Sequence, residues 1–232
     1  MATRVHLLCA GAAKGLVLAL QDSFERAQGA ELVCTFGAVG ALREQLDAGA
    51  PCDAIVLTRA VIDALARAGR VDAASVRDLG AVDTGVAVPD AAPPAAAADA
   101  GALRALLLRA SAIYLPDPQR ATAGIHALNV LRELGQAQPA RLRAHPNGAA
   151  AMAALARDGD AAAVGITQVS EILYTPGLRL LGALPPPFAL ATAYSAAVLS
   201  AGAQPAAAAC LLDWLSAPAQ AAVRRRCGFE PG

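Results

Sequence analysis

Aromatic side chains are scarce, at 3% of the sequence, although 56% of it is hydrophobic. Any core is therefore built of alanine, leucine and valine, and the many alanines favour helix. Net charge is missing too: 19 basic and 19 acidic side chains cancel to +0. The arginines are scattered without an extended basic stripe, so no nucleic-acid partner is expected. Five cysteines, Cys9, Cys34, Cys52, Cys210 and Cys227, are an odd number with no Cys-x-x-Cys spacing. That pattern argues against a disulfide framework and a zinc site, and they read as small buried hydrophobes. His6 and His145 show no metal-ligand spacing with His126. No metal and no cofactor is expected.

No uncharged apolar run is long enough to span a bilayer, and the alanine-rich stretch 91–98 contains Pro93 and Pro94. A leader with a basic start and an apolar core is not visible, because Met1-Ala2-Thr3-Arg4 runs directly into an apolar segment. The expectation is a protein without membrane insertion, cytoplasmic as the sequence is written and periplasmic if a native signal peptide precedes it. Its 232 residues are enough for one or two sizeable cores.

What the chain does have is a repeated local pattern of strand, small-residue turn and helix. Phe36-Gly37-Ala38-Val39-Gly40-Ala41-Leu42 opens a helix on small residues, and Gly49-Ala50-Pro51-Cys52-Asp53-Ala54 leads into the next strand. Val5 to Ala10 is an apolar strand, Gly11-Ala12-Ala13 a small-residue turn, and 14–27 an amphipathic helix ending at Gly29. Ile113-Tyr114-Leu115 leads through Pro116-Asp117-Pro118 to Thr122-Ala123-Gly124 and a helix over 125–134. Asn147-Gly148 begins the fourth instance. A helix that opens on small residues presents unpaired N–H groups and the positive end of its dipole, which together hold an anion without a charged side chain.

Strands and helices alternate through residue 68, the signature of a parallel sheet with helical crossovers. The segment 81–88 is extended with no helix directly after it, and a second extended stretch covers 189–199. Between them lies another alternating block. The fold class expected is α/β with two lobes, each a mixed, mostly parallel sheet flanked by helices, joined by two crossing hinge strands. Residues 1–84 with 195–232 would form a discontinuous first lobe and 85–194 an inserted second lobe. A ligand would lie between them.

In this order, those turns, with Ala123-Gly124-Ile125-His126 and Val164-Gly165-Ile166, resemble the molybdate-binding branch of the type II periplasmic binding proteins. Gln168-Val169-Ser170-Glu171-Ile172-Leu173, Pro176-Gly177, Leu181-Gly182-Ala183-Leu184-Pro185 and Tyr194-Ser195-Ala196-Ala197-Val198 are similar to a molybdate-binding-like subgroup that includes aconitate isomerase-like proteins. The resemblance covers nearly the whole chain. It implies a small anionic ligand held by helix N-termini and, for an exported protein, an ABC permease as partner.

The branch holds its oxyanion with two serine hydroxyls, helix-start amides and a tyrosine hydroxyl. Those serine positions fall near Gly11 or Ala12 and at Val39 or Gly40, and the tyrosine position is Gln168. None carries a hydroxyl, so the expected ligand is a carboxylate in preference to molybdate. The ligand-binding set is Gly11, Ala12, Ala13, Lys14, Ala38, Val39, Gly40, Thr58, Arg59, Ala123, Gly124, Ile125, His126, Asn147, Gly148, Gln168 and Tyr194. The alternative to binding is a cofactor-independent isomerase acting on a small di- or tricarboxylate such as aconitate by proton transfer. Its candidate catalytic residues are Lys14, His126 and Glu171. For each a structural role stands beside the chemical one: solvated charge for Lys14, packing for His126 and bracing of 169–173 for Glu171.

Overall fold

The computed structural model describes residues 3–231. They divide into two compact units, one made of the residues up to Ala81 with those from Ala193 onward, the other Val82–Thr192.

In the first unit, β1 (Thr3–Ala10), α1 (Lys14–Gln28), β2 (Ala30–Gly37), α2 (Val39–Asp47), β3 (Ala54–Thr58) and α3 (Arg59–Arg67) follow one another. β1 pairs in parallel with β2 and with β3, and β3 pairs antiparallel with β9 (Ala191–Val198). The strand order is β2-β1-β3-β9. All five residues of β3 are buried, as a strand covered on both faces requires. α1 ends where Gly29 takes φ 62°, a left-handed conformation that lets its N–H reach the Glu25 carbonyl. Leu16, Val17, Leu20 and Phe24 of α1 are buried, and the Phe24 ring meets Trp214 of α8 (Pro205–Ser216) edge-on at 6.3 Å. α9 (Ala221–Arg226) closes the unit, preceded by a separate 3-10 turn that starts at Pro218.

The second unit repeats the connectivity. β4 (Arg77–Pro89) enters it, α4 (Ala100–Arg109) follows, then β5 (Ile113–Pro116), α5 (Thr122–Glu133), β6 (Leu142–His145), α6 (Gly148–Asp158), β7 (Val164–Gln168) and α7 (Val169–Leu173). β5 is parallel to both β6 and β7, and β7 pairs antiparallel with β4. The order β6-β5-β7-β4 matches β2-β1-β3-β9, with β8 (Leu178–Ala183) added on β4. One core joins Val86, Leu103, Leu107, Leu115, Leu131 and Ile166 under α4 and α5, and another joins Ala87, Met152, Leu155 and Ile172 under α6 and α7. Burying one such leucine side chain is worth roughly 1.5–3 kcal/mol.

Sequence periodicity did not mark β6 or β8. β6 has no buried residue and β8 none either, so neither shows an apolar alternation. Among the described residues no single helix is long and apolar enough to cross a membrane. The bent pair formed by α8 and the segment after it passes by length and composition, yet Ala208, Leu211, Leu212 and Leu215 are buried in the fold.

Candidate functional site

Parallel strands place every following helix start at the same sheet edge. In the first unit, β1, β2 and β3 end at Ala10, Gly37 and Thr58, and the Gly11–Ala13 turn leading into α1, α2 and α3 all begin there. None of these starts has a side-chain cap and none has an acidic residue in its first turn. By contrast α4 is capped, Asp99 Oδ1 accepting from the Ala102 N–H at 2.8 Å. Helix starts without side-chain caps, with their dipole ends, are therefore gathered at one edge of this unit. The chain turns from β1 toward β2 and returns past it to β3, so the β1/β3 ends form the switch point where open α/β sheets take ligands. Gly11, Ala12, Ala13, Lys14, Thr58 and Arg59 sit at that point, while Ala38, Val39 and Gly40 lie one strand outward.

The charged side chains there are engaged within the unit. The Lys14 ammonium stands 5.7 Å from the centroid of the Phe36 ring. Arg59 Nε donates to Asp63 at 2.8 Å and its terminal nitrogen donates to Asp78 at 2.7 Å. Asp78 also accepts from the Ser195 hydroxyl at 2.7 Å; that bond, with Arg59 beside it, holds its carboxyl below the ordinary range. Thr58 is different. It occupies the N-cap of α3 without bonding its own helix, in register with Tyr194 on β9. Tyr194 is buried with its ring edge-on to Phe229 at 6.1 Å. Arg59 and Tyr194 come together on the wall of a cavity of about 380 Å³ with Asp78, Arg224, Arg225 and Phe229.

In the second unit, β5, β6 and β7 end together and α5, α6 and α7 start from that edge. α5 has no side-chain cap and no acid in its first turn. Its Gly124 packs so closely on the Pro116 and Asp117 carbonyls that a Cβ has no room. Ala123 is buried beside it and Ile125 is exposed. His126 Nε2 lies 2.8 Å from the Phe188 carbonyl, so this nitrogen carries the proton and donates. A cavity of about 470 Å³ opens between the β5 and β6 ends, lined by Asp117, Arg120 and His145.

α6 starts differently from α5. Asn147 Oδ1 accepts from the Ala150 N–H at 2.9 Å, and the Glu171 carboxylate fills the space over Gly148. Glu171 is 5% exposed and accepts from the Thr167 hydroxyl at 2.5 Å. Burial pushes its carboxyl up, opposed by the Thr167 hydroxyl and the amides of Ala149, Gln168 and Gly148. An acid from 23 residues downstream thus serves this helix start. Gln168 is buried as well; oriented by its partners, its nitrogen donates to the Val82 and Asp83 carbonyls at 3.0 and 3.3 Å. Its oxygen then accepts from the Thr192 hydroxyl at 3.4 Å.

This architecture has relatives. The sequence matches the family model described as bacterial extracellular solute-binding protein over residues 5–230. The chain belongs to that family. Among curated proteins it is 26% identical to an aconitate isomerase from Pseudomonas sp, over 99% of this chain and 88% of the relative. It is 25% identical to the molybdate-binding protein ModA of Escherichia coli K12, over 94% of this chain and 86% of that one. The Azotobacter vinelandii periplasmic molybdate-binding protein superposes with a TM-score of 0.79 at 19% identity, covering 98% of this chain and 99% of that one. The sulfate-binding protein SubI from Mycobacterium tuberculosis gives 0.77 at 17% identity, over 99% and 87% of the two chains. The solute-binding family is thus the one the turn motifs resemble.

Within this family member, three side chains at the site escaped sequence reading. Asp78 reaches Arg59 from 19 positions away, Ser195 donates to that Asp78 carboxylate from much further along the chain, and Thr167 meets Glu171 across a β7-to-α7 turn. Only the last leaves a sequence signal: a four-residue spacing over a strand end into a helix.

Proposed function

We propose that the protein binds a small anion, a carboxylate in preference to molybdate, through the uncapped helix starts at the strand ends. The observation that carries this reading is the gathering of uncapped helix starts at parallel strand ends. The starts of α1, α2 and α3 in the first unit and of α5 in the second lack side-chain caps and first-turn acids, whereas α6 is closed by Asn147 and by Glu171 over Gly148. Helix starts left open in this way favour an external anion. The ligand-binding assignments of Gly11 to Lys14, Ala38 to Gly40, Thr58, Arg59, Ala123 to His126, Asn147, Gly148, Gln168 and Tyr194 belong to this proposal. Within it, the Thr58 hydroxyl is the favoured donor of the first unit and the Ala123 and Gly124 amides those of the second, where Gly148 and Gln168 act as supports because Glu171 and the β4 carbonyls engage them.

Carboxylate preference rests on missing hydroxyls. Each lost hydrogen bond to a charged acceptor is worth about 1.5–3 kcal/mol, and Gly11, Ala12, Val39, Gly40 and Gln168 offer none of the three. Similarity to an aconitate isomerase points the same way and keeps a proton-transfer enzyme as second reading. Binding is favoured over it because each candidate base has a partner in its own unit: Lys14 on Phe36, His126 on Phe188, Glu171 on Thr167. Two proteins of the same fold belong to molybdenum and tungstate ABC transporters, so a permease is the partner this reading assigns. The family's description is extracellular, and fractionation of the source cells separates that location from the cytoplasmic one.

The test is a thermal-shift panel of citrate, trans-aconitate, molybdate, tungstate, sulfate and phosphate. A ligand at 100 times its Kd stabilises the native state by about 2.7 kcal/mol. Carboxylates are expected to raise the melting temperature most; shifts from molybdate and tungstate alone would overturn the preference. Incubation with cis- or trans-aconitate in deuterated buffer, followed by NMR, tests the isomerase reading through isomer conversion and deuterium uptake.

A further inference from the structure

Among the described residues three buried polar side-chain atoms lack a hydrogen-bond partner: Thr84 Oγ1, Ser170 Oγ and Trp214 Nε1. Ser170 lies inside the short α7, and Trp214 packs on Phe24. Thr84 is 0% exposed and stands on β4 at the sheet end where the second unit gathers its helix starts. Along β4 the side chains alternate: Val86 and Val88 face the core under α4 and α5, and Ala87 faces the other. Two residues before Val86, Thr84 shares the α5 face. It pairs in register with Gln168, which is two residues past Ile166 of that same core. α5 begins over this end of the sheet, since β5 and β7 run parallel, and its twelve-residue helix starts without a cap. A buried, unpartnered hydroxyl and an uncapped helix start therefore occupy one face at one end.

We propose that Thr84 contacts the ligand, its Oγ1 donating to a carboxylate oxygen of the anion that the α5 start holds. This rests on the anion-binding reading and adds a residue which that reading does not contain. A buried hydroxyl without a partner is costly, and valine would fill the same space without that cost. An anion at the α5 start supplies the acceptor. It also returns to the site one hydroxyl donor of the kind absent at Gly11, Ala12, Val39 and Gly40.

The test compares wild type, Thr84→Val and Thr84→Ser by calorimetric titration with citrate, trans-aconitate, molybdate, sulfate and phosphate, alongside ligand-free melting temperatures. T84V is expected to melt at or above the wild-type temperature and to bind carboxylates about 10- to 150-fold more weakly, the range for a hydrogen bond to a charged acceptor. T84S is expected to stay within about threefold of wild type, because the donor is kept. Equal affinities in wild type and T84V, or a ligand-free T84V that melts lower, would overturn the assignment by making the hydroxyl structural or idle. Flat wild-type titrations with every probe are a separate outcome: they remove the anion reading itself, and the role of Thr84 with it.

Discussion

Replacing Gly148 by alanine sets two physical effects against each other with opposite signs. Gly148 is the first residue of α6 and has no positive φ, so helix propensity alone favours alanine by roughly 0.5–1 kcal/mol. The neighbourhood says otherwise. A Cβ there would overlap the Glu171 carboxylate and the Thr167 hydroxyl. Both partners are buried, so neither can swing into solvent. Moving the carboxylate breaks the 2.5 Å bond from Thr167, worth about 1.5–3 kcal/mol for a charged acceptor, and overpacking adds about 1–3 kcal/mol. After the propensity gain, Gly148→Ala is expected to destabilise by about 2–5 kcal/mol, which lowers the melting temperature by roughly 5–20 °C. Urea unfolding followed by circular dichroism measures it. The cause is isolated by adding Glu171→Ala, which empties the crowded space. The Gly148→Ala change should then cost at least about 1.5 kcal/mol less than in wild type, a coupling typical of residues in contact. A stable G148A protein, or additive effects in the double variant, would refute the claim that an internal carboxylate occupies the α6 start.

Glu171→Gln tests the charge rather than the space. The folded-state carboxyl is shifted up by burial, so its contribution is fully present below the unfolded value and is lost as pH rises through the folded one. Wild-type stability should therefore fall across that interval above the ordinary carboxylate range, and E171Q should lack this component; parallel melting-temperature curves against pH would refute it. Asp78→Ala removes an exposed ion pair with Arg59 worth about 0–1 kcal/mol and also leaves the buried Ser195 hydroxyl without its acceptor, which costs about 1–3 kcal/mol. The melting temperature is expected to fall by roughly 2–15 °C, and an unchanged value would refute a structural role for the Ser195 bond. His126→Ala loses one bond to the Phe188 carbonyl and should cost about 1 kcal/mol plus packing in urea unfolding; unchanged stability would refute a bracing role for that bond.

Much of the fold was readable because its signals are local. The helix expected over 14–27 runs Lys14–Gln28, and the one expected to open within Phe36 to Leu42 starts at Val39, since a glycine or a small-residue turn marks these ends. The α5 start came three residues earlier than the 125 read from sequence, because Ala121 serves as N-cap without a polar side chain to announce it. The strand β6, Leu142-Arg143-Ala144-His145, was invisible for a related reason: an edge strand with no buried residue has no alternation to read.

The site divides along the same line. That small residues begin α1, α2 and α5, and that no hydroxyl stands at Gly11, Ala12, Val39 or Gly40, follows from residue identity. Which amides stay open was decided by tertiary structure. Gly148 looked in sequence like Gly124, a small residue at a helix start, yet Glu171 folds back over the one and not the other. Arg59 is marked in sequence only by its place at a strand end, and the fold alone brings to it Asp78, which Ser195 also meets. Thr84 carried no signal at all until its register opposite Gln168 left its hydroxyl buried and unpartnered. Helix starts are written in the chain because backbone geometry is local. Their occupancy is a contact between distant residues, and only the packed fold sets it.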